Sequence, residues 1–244
     1  MTKSWVYLAR NGKPAYTETL GHEPSLDEMK IIFGGKGAGL MAMTAAGAPV
    51  PPAFTITTEA CVYYMEHDAF PEGMWEQELE SIKALEKQTG KKFGDPDNPL
   101  LVSCRSGAKF SMPGMMDTIL NIGLTDEIVE VLATRAHRPR FAWDIYRRLV
   151  HMFGSVVMNV PDEVFEAVIS AQRRESGVRS DTELNAEAWK NVTIRFKEII
   201  RTYTGKEFPS DPYEQLRQAT EAVFRSWNGK RAIDYRNASN IAHD

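Results

Sequence analysis

Apolar residues recur along this chain with two textures, and the change falls near residue 125. Before it, short runs of strand character, Trp5 to Ala9, Ala53 to Thr57 and Leu100 to Cys104, are punctuated by glycine and proline. Helical spacing between those runs predicts Leu40 to Ala46, closed by Gly47, and Thr58 to Met65 behind a threonine cap. A third helix is predicted over Trp75 to Gln88, with Trp75, Leu79, Ile82 and Leu85 on one face.

From 125 to 208 almost everything reads as helix. Phe141, Ile145, Leu149, Met152, Phe153 and Val156 make one stripe. Trp189, Val192, Phe196, Ile199 and Tyr203 make a second, which stops at Gly205. Between them RRESGVRSDTELN is polar and turn-rich, a solvated loop. Helices that each carry an apolar stripe are expected to pack on one another as a small bundle. At residues 209–214, Pro-Ser-Asp-Pro-Tyr-Glu predicts a new helix: Asp211 caps, Pro212 takes the first helical position and Glu214 completes a capping box. Tyr213, Leu216, Thr220, Val223, Phe224 and Trp227 supply its apolar face. The last segment, RAIDYRNASNIAHD, carries no stop signal and reads as continuing into something else. There is no internal repeat and no low-complexity stretch.

Composition narrows the function classes. Of 244 residues 43% are hydrophobic and 25% charged, an ordinary globular balance with enough chain for a real core. Lys and Arg number 29 against 33 Asp and Glu, a net charge of −4, which argues against a general nucleic-acid binder. The two cysteines, Cys61 and Cys104, sit in apolar surroundings and are read as reduced core residues, with neither a disulfide framework nor a zinc site expected. The first residues lack the apolar stretch of a signal peptide, and no run approaches the ~20 residues of a membrane span. A cytoplasmic protein with no membrane partner is the expectation.

Three segments carry candidate chemistry. Phe33-Gly34-Gly35-Lys36-Gly37-Ala38-Gly39-Leu40 precedes a helix. Glycines let a backbone approach an anion closely, a helix N-terminus adds positive potential, and Lys36 supplies a mobile charge. The segment is neither a Walker A loop nor a Rossmann fingerprint. Leu100-Leu101-Val102-Ser103-Cys104-Arg105-Ser106-Gly107 ends an apolar strand on an Arg, a group suited to forked contact with phosphate. Ser111-Met112-Pro113-Gly114-Met115-Met116-Asp117-Thr118 gathers thioethers around a Pro-Gly turn, as a loop closing over a ligand would. Taken singly, each has a plainer reading: a Gly-rich turn with a solvated Lys, an Arg paired to a surface carboxylate, a buried methionine turn.

Together, and in order, they are more specific. GGKGAGL, VSCRSGAKFSMPGMMDTILNIGL, RFAWDIYRRLVHMFGSVVMNV and DPYEQLRQATEAVFRSWNGKRAIDYR closely resemble the start of the pyruvate, phosphate dikinases. Phosphoenolpyruvate synthase and other dikinases share the first two motifs more loosely. The resemblance implies an α+β chain, the N-terminal portion of an ATP-grasp domain with an inserted all-helical subdomain. The ATP-grasp part would be 1–124 with 211–244, and the insertion 125–210. It also implies a reaction interconverting ATP, phosphate and pyruvate with AMP, pyrophosphate and phosphoenolpyruvate through a phosphohistidine carrier. Lys36 and Arg105 would contact ATP phosphates, assisted by Mg²⁺ held from outside this chain. Gly35 and Gly37 would belong to the phosphate loop, and Gly114, Met115 and Met116 to the lid.

None of the five histidines, His22, His67, His137, His151 and His243, stands in the Thr-Ser-His setting of the family's carrier domain. The chain is therefore expected to lack a catalytic residue of its own and to be part of a longer enzyme. That enzyme would be a homodimer whose second ATP-grasp half, phosphohistidine domain and pyruvate-binding barrel lie elsewhere. A different dikinase, or a non-catalytic binding module retaining the fold, is the alternative. The arginines Arg138, Arg140, Arg147 and Arg148 read as a solvated face of one helix, or as a docking face for an acidic neighbouring domain.

Overall fold

A computed structural model describes residues 3–109, 117–135 and 137–240. In chain order its elements are β1 (Val6–Leu8), α1 (Gly12–Leu20), α2 (Leu26–Ala45), β2 (Phe54–Ile56), α3 (Thr58–His67), α4 (Met74–Thr89), β3 (Lys92–Phe93), β4 (Pro99–Leu100), β5 (Val102–Arg105) and β6 (Thr118–Ile122). Then follow α5 (Asp126–Arg135), α6 (Pro139–Met152), α7 (Asp162–Ser176), α8 (Ala186–Thr204), α9 (Pro212–Ser226) and α10 (Lys230–Ala238). Helices dominate, with small two-stranded sheets β1–β2, β3–β4 and β5–β6 among the described residues, so the class is α+β. None of the described helices is long and apolar enough to cross a membrane.

The chain divides into two compact units. The first comprises Met1–Gly90, Arg105–Asp117 and Val223–Asp244, the second Lys91–Cys104 and Thr118–Ala222. This cuts elsewhere than the division drawn from the sequence at 125–210, because the strands β3, β4 and β6 group with the helices that follow them.

In the first unit β1 and β2 pair antiparallel, Val6 opposite Ile56 and Leu8 opposite Phe54. Tyr7 turns into a cluster with Met29, Phe33, Ala38 and Met41, all buried. Two of those residues, Met29 and Phe33, fall four apart, on one face of the helical segment that precedes Gly34. That spacing explains why α2 starts at Leu26, well before the Leu40 expected from a sequence whose glycines mask the pattern. Its start is fixed by a capping box, with the Ser25 side chain accepting from the Glu28 N–H and Glu28 from the Ser25 N–H. A second cluster joins Ala60, Tyr64, Met74 and Phe224. In α4 the buried stripe is Met74, Glu78, Ser81, Ile82 and Leu85, so the predicted face is right at Ile82 and Leu85, while Trp75 and Leu79 sit half-buried at its edge. The final segment, expected to have no stop, forms α10. There Arg236 is 1% exposed, its Nη1 donating to the Trp227 carbonyl at 2.6 Å and its guanidinium lying 4.0 Å from the Trp227 ring centre.

In the second unit the helices pack on one another beside the short strands. α6 packs on α5, α8 and β6, and α7 packs on α8. Its centre is aromatic: Phe153, Phe165 and Phe196 are fully buried, with Phe165 and Phe196 edge to face at 4.9 Å. Two predicted stripe residues face solvent instead, Phe141 at 59% and Tyr203 at 55% exposure. The buried face of α6 is Ala142, Trp143, Tyr146, Leu149 and Val150, and that of α8 runs through Trp189, Val192, Phe196 and Ile200. α6 widens into a π-helical turn over Phe153–Val157. There Gly154 is needed for close approach, since a Cβ on it would come 3.0 Å from Ile200 Cδ1 and closer still to the Phe165 ring.

The arginine face of α6 is only partly solvated. Arg140 donates to the carbonyls of Leu184, Asp181 and Thr182, tying the α7–α8 connection to α6. Arg147 pairs with Asp144 at 2.8 Å and covers the Trp189 ring at 4.2 Å. Arg138 and Arg148 are the exposed pair. Asp211 caps α9 as expected, its Oδ1 accepting from the Tyr213 N–H at 2.9 Å, while Glu214 accepts from Gln218 at 2.7 Å. Gln215, fully buried, donates to the carbonyls of Leu124 and Pro209 and accepts from the Gly123 N–H, so one side chain satisfies a whole loop crossing. Neither cysteine is in a disulfide and both are half-buried, and burial pushes the Cys61 thiol up to about 12.

Candidate anion-binding site

The site is built where α2 breaks. Gly34 adopts φ 66° and ψ 170°, a left-side conformation that stops the first helical segment, and the helix resumes directly behind it. Lys36 therefore stands in the opening turn of a helical segment, not on a glycine loop ahead of a helix at Leu40 as the sequence suggested, because only Gly34 leaves the helical conformation. The loop after β5 lies against this break. The Gly35 N–H donates to the Ala108 carbonyl at 2.8 Å. A Cβ on Gly37 would sit 2.6 Å from Thr55 Cγ2, so that glycine lets α2 press onto β2. In this arrangement Gly35 and Gly37 hold backbone to backbone and helix to strand.

Lys36 and Arg105, 69 positions apart in sequence, come together here. The Lys36 Nζ donates to the Ser106 carbonyl at 2.8 Å, and Ser106 itself is buried. Arg105 ends β5 with its side chain exposed. Partial burial, and after it the positive charge of Arg105, hold the Lys36 ammonium below the usual lysine range. Two like charges kept near one another are unfavourable in themselves, and a bound polyanion would relieve that repulsion. Gly114, Met115 and Met116 lie outside the described residues. Asp117, at the end of that segment, is tied by an ion pair with Arg231 at 2.8 Å.

The residue pattern had not singled out Gly34, Ser106, Gly107 or Arg231. Gly34 could have been suspected from the Gly34-Gly35 pair before a helix. The carbonyl of Ser106 and the reach of Arg231 across the sequence leave no local signal.

Sequence comparison decides the relationship. The family profile described as "Pyruvate phosphate dikinase, AMP/ATP-binding domain" matches residues 30–77 and 68–244. The chain belongs to the pyruvate, phosphate dikinase family. It is 49% identical over 242 residues to pyruvate, phosphate dikinase of Clostridium symbiosum, covering 98% of this chain and 26% of that protein. Against the protein of that name from Entamoeba histolytica it is 50% identical over 208 residues, 85% of this chain and 24% of the relative. With pyruvate, phosphate dikinase 1, chloroplastic, of Arabidopsis thaliana the figures are 44% over 230 residues, 94% and 24%. The chain thus spans about a quarter of the length of the pyruvate, phosphate dikinases it matches.

Proposed function

We propose that this chain is the first portion of the ATP-binding region of a pyruvate, phosphate dikinase. In this reading it is the N-terminal part of an ATP-grasp domain carrying an inserted helical subdomain. The complete cytoplasmic enzyme interconverts ATP, phosphate and pyruvate with AMP, pyrophosphate and phosphoenolpyruvate. A phosphohistidine carrier, a second ATP-grasp half and a pyruvate site complete it, and it works as a homodimer.

The observation that carries the reading is the convergence of Lys36 and Arg105 beside the helix break at Gly34. Their task is to bind and neutralise the ATP phosphates, since phosphoryl transfer asks the protein for positioning and charge more than for covalent help. Arg105 gives a rigid two-pronged contact, each charge-assisted bond contributing about 1.5–3 kcal/mol. For Lys36, binding means leaving the Ser106 carbonyl for a phosphate oxygen. Gly35 and Gly37 shape the helix start that bears Lys36, and Gly114, Met115 and Met116 close over the polyphosphate.

Mg²⁺ accompanies ATP in such chemistry, offsetting phosphate charge when bound. Two cationic side chains and a backbone carbonyl are not the oxygen-rich anionic set that Mg²⁺ takes. Lys36 and Arg105 therefore do not hold it, and its ligands belong to the other ATP-grasp half. The test is to express the complete protein that contains this chain and supply ATP, phosphate and pyruvate. Formation of AMP, pyrophosphate and phosphoenolpyruvate in equal amounts supports the proposal. Phosphoenolpyruvate formed without pyrophosphate would assign it to a different dikinase.

A further inference from the structure

The bundle carries a side-chain cluster that the proposed nucleotide chemistry does not use. His151 lies in the last turn of α6, and Asp162 and Glu166 stand one turn apart at the start of α7. The His151 Nε2 is 2.7 Å from Asp162 Oδ1, and one ligand atom from each of the three residues falls within 4.8 Å of the others. We infer that His151, Asp162 and Glu166 form a binding site for a divalent first-row transition ion, zinc foremost.

Three features of the cluster support this. The imidazole is held in place from behind, with its ring 4.8 Å from that of Phe165 and 5.4 Å from that of Phe196. Its side chain is only 15% exposed, whereas Asp162 is 65% exposed and Glu166 lies at the surface. A pre-oriented nitrogen facing two accessible carboxylates loses little freedom on taking up an ion.

Charge is the second feature. Among the described residues, His151 is the only ion-pair partner of Asp162, and no lysine or arginine pairs with Glu166. Two carboxylates one turn apart repel, and the N-terminus of α7 relieves only part of that. A divalent cation would neutralise both.

Donor chemistry is the third. One imidazole nitrogen with two carboxylates suits zinc and its neighbours, whereas Mg²⁺ and Ca²⁺ favour oxygen alone. Zinc bonds of about 2.0–2.2 Å set neighbouring ligand atoms about 3.3 Å apart in a tetrahedral site. The cluster needs only a slight parting of His151 from Asp162 and a rotamer change at exposed Glu166. A fourth position stays open to water. The ion would clamp α6 to α7 across the π-helical turn Phe153–Val157, a distortion of the kind that accompanies functional sites.

The test titrates the whole 244-residue chain, stripped with a chelator and dialysed, with zinc chloride and separately with magnesium chloride by isothermal calorimetry. One equivalent of zinc is expected to bind, with magnesium giving no comparable saturable heat, and zinc should raise the melting temperature. His151→Ala and Glu166→Gln should each weaken zinc binding at least about tenfold. Because His151 also packs on phenylalanines, the exposed variant Glu166→Gln guards against misfolding, checked by circular dichroism. Absence of saturable zinc binding, or wild-type affinity in both variants, overturns the site.

Discussion

A Cβ placed on Gly34 would lie 1.3 Å from the carbonyl oxygen of Gly107, so the break in α2 and the loop after β5 meet backbone against backbone. Nothing larger than hydrogen fits at Gly34, whose φ of 66° also disfavours any other residue. Gly107 is not under the same constraint, because a Cβ there would meet the Phe33 carbonyl at 3.7 Å and Lys36 Cβ at 3.8 Å, ordinary van der Waals contacts. Gly34→Ala is expected to cost at least about 2 kcal/mol in denaturant unfolding, and Gly107→Ala less than about 1. Equal effects would mean that this contact does not organise the site.

The neighbourhood of Lys36 and Arg105 predicts a titration. Lys36 holds its proton less firmly than an ordinary lysine at 10.5, chiefly through burial and secondly through Arg105. Between its lowered folded value and 10.5 the unfolded chain binds the proton more tightly, so the stability contribution of Lys36 rises with pH across that window. Below the window the full penalty of the buried charge remains. In Arg105→Gln the Lys36 ammonium should titrate higher, yet still below 10.5, followed by NMR of its side-chain carbon. An unchanged titration would show that Arg105 does not act on Lys36.

In the bundle, exposure separates two phenylalanines that the helical spacing treated alike. Phe196→Ala empties a fully buried position and should cost about 3–5 kcal/mol. Phe141→Ala, at a position 59% exposed, should stay within about 0.5. Thermal unfolding of the two variants measures the difference.

These contrasts show what the sequence could reveal. Caps and stops were legible because their signals are local: Thr57 accepts from the Ala60 N–H, Asp211 from Tyr213, and Gly205 closes α8 in the left-handed conformation. Helix existence was legible from spacing, but which neighbour faces inward was less so. Phe141 and Trp143 are both large aromatics, and only the folded bundle selects Trp143, 6% exposed, for burial. The reach of Arg140 and Arg147 to the α7–α8 connection and to Trp189 was illegible, since their partners lie 41 or more positions away, and their charge suggested solvent. At the candidate site the motif gave Lys36 and Arg105 as separate suspicions. Their meeting, through Ser106 and Gly107, is a tertiary fact.

The measurement that bears most directly on the nucleotide reading is Arg105→Ala in the complete enzyme, assayed on its two half-reactions separately. Removing a forked phosphate contact should slow the ATP half-reaction at least about tenfold, the loss of one or more charge-assisted bonds. Lys36→Ala should act in the same direction and more mildly, because its stem is flexible. Exchange between pyruvate and phosphoenolpyruvate should stay near normal, since Arg105 has no part in that step. An ATP half-reaction at the unaltered rate would contradict the assignment of Arg105, and equal loss in both half-reactions with a lower melting temperature would make it a structural arginine.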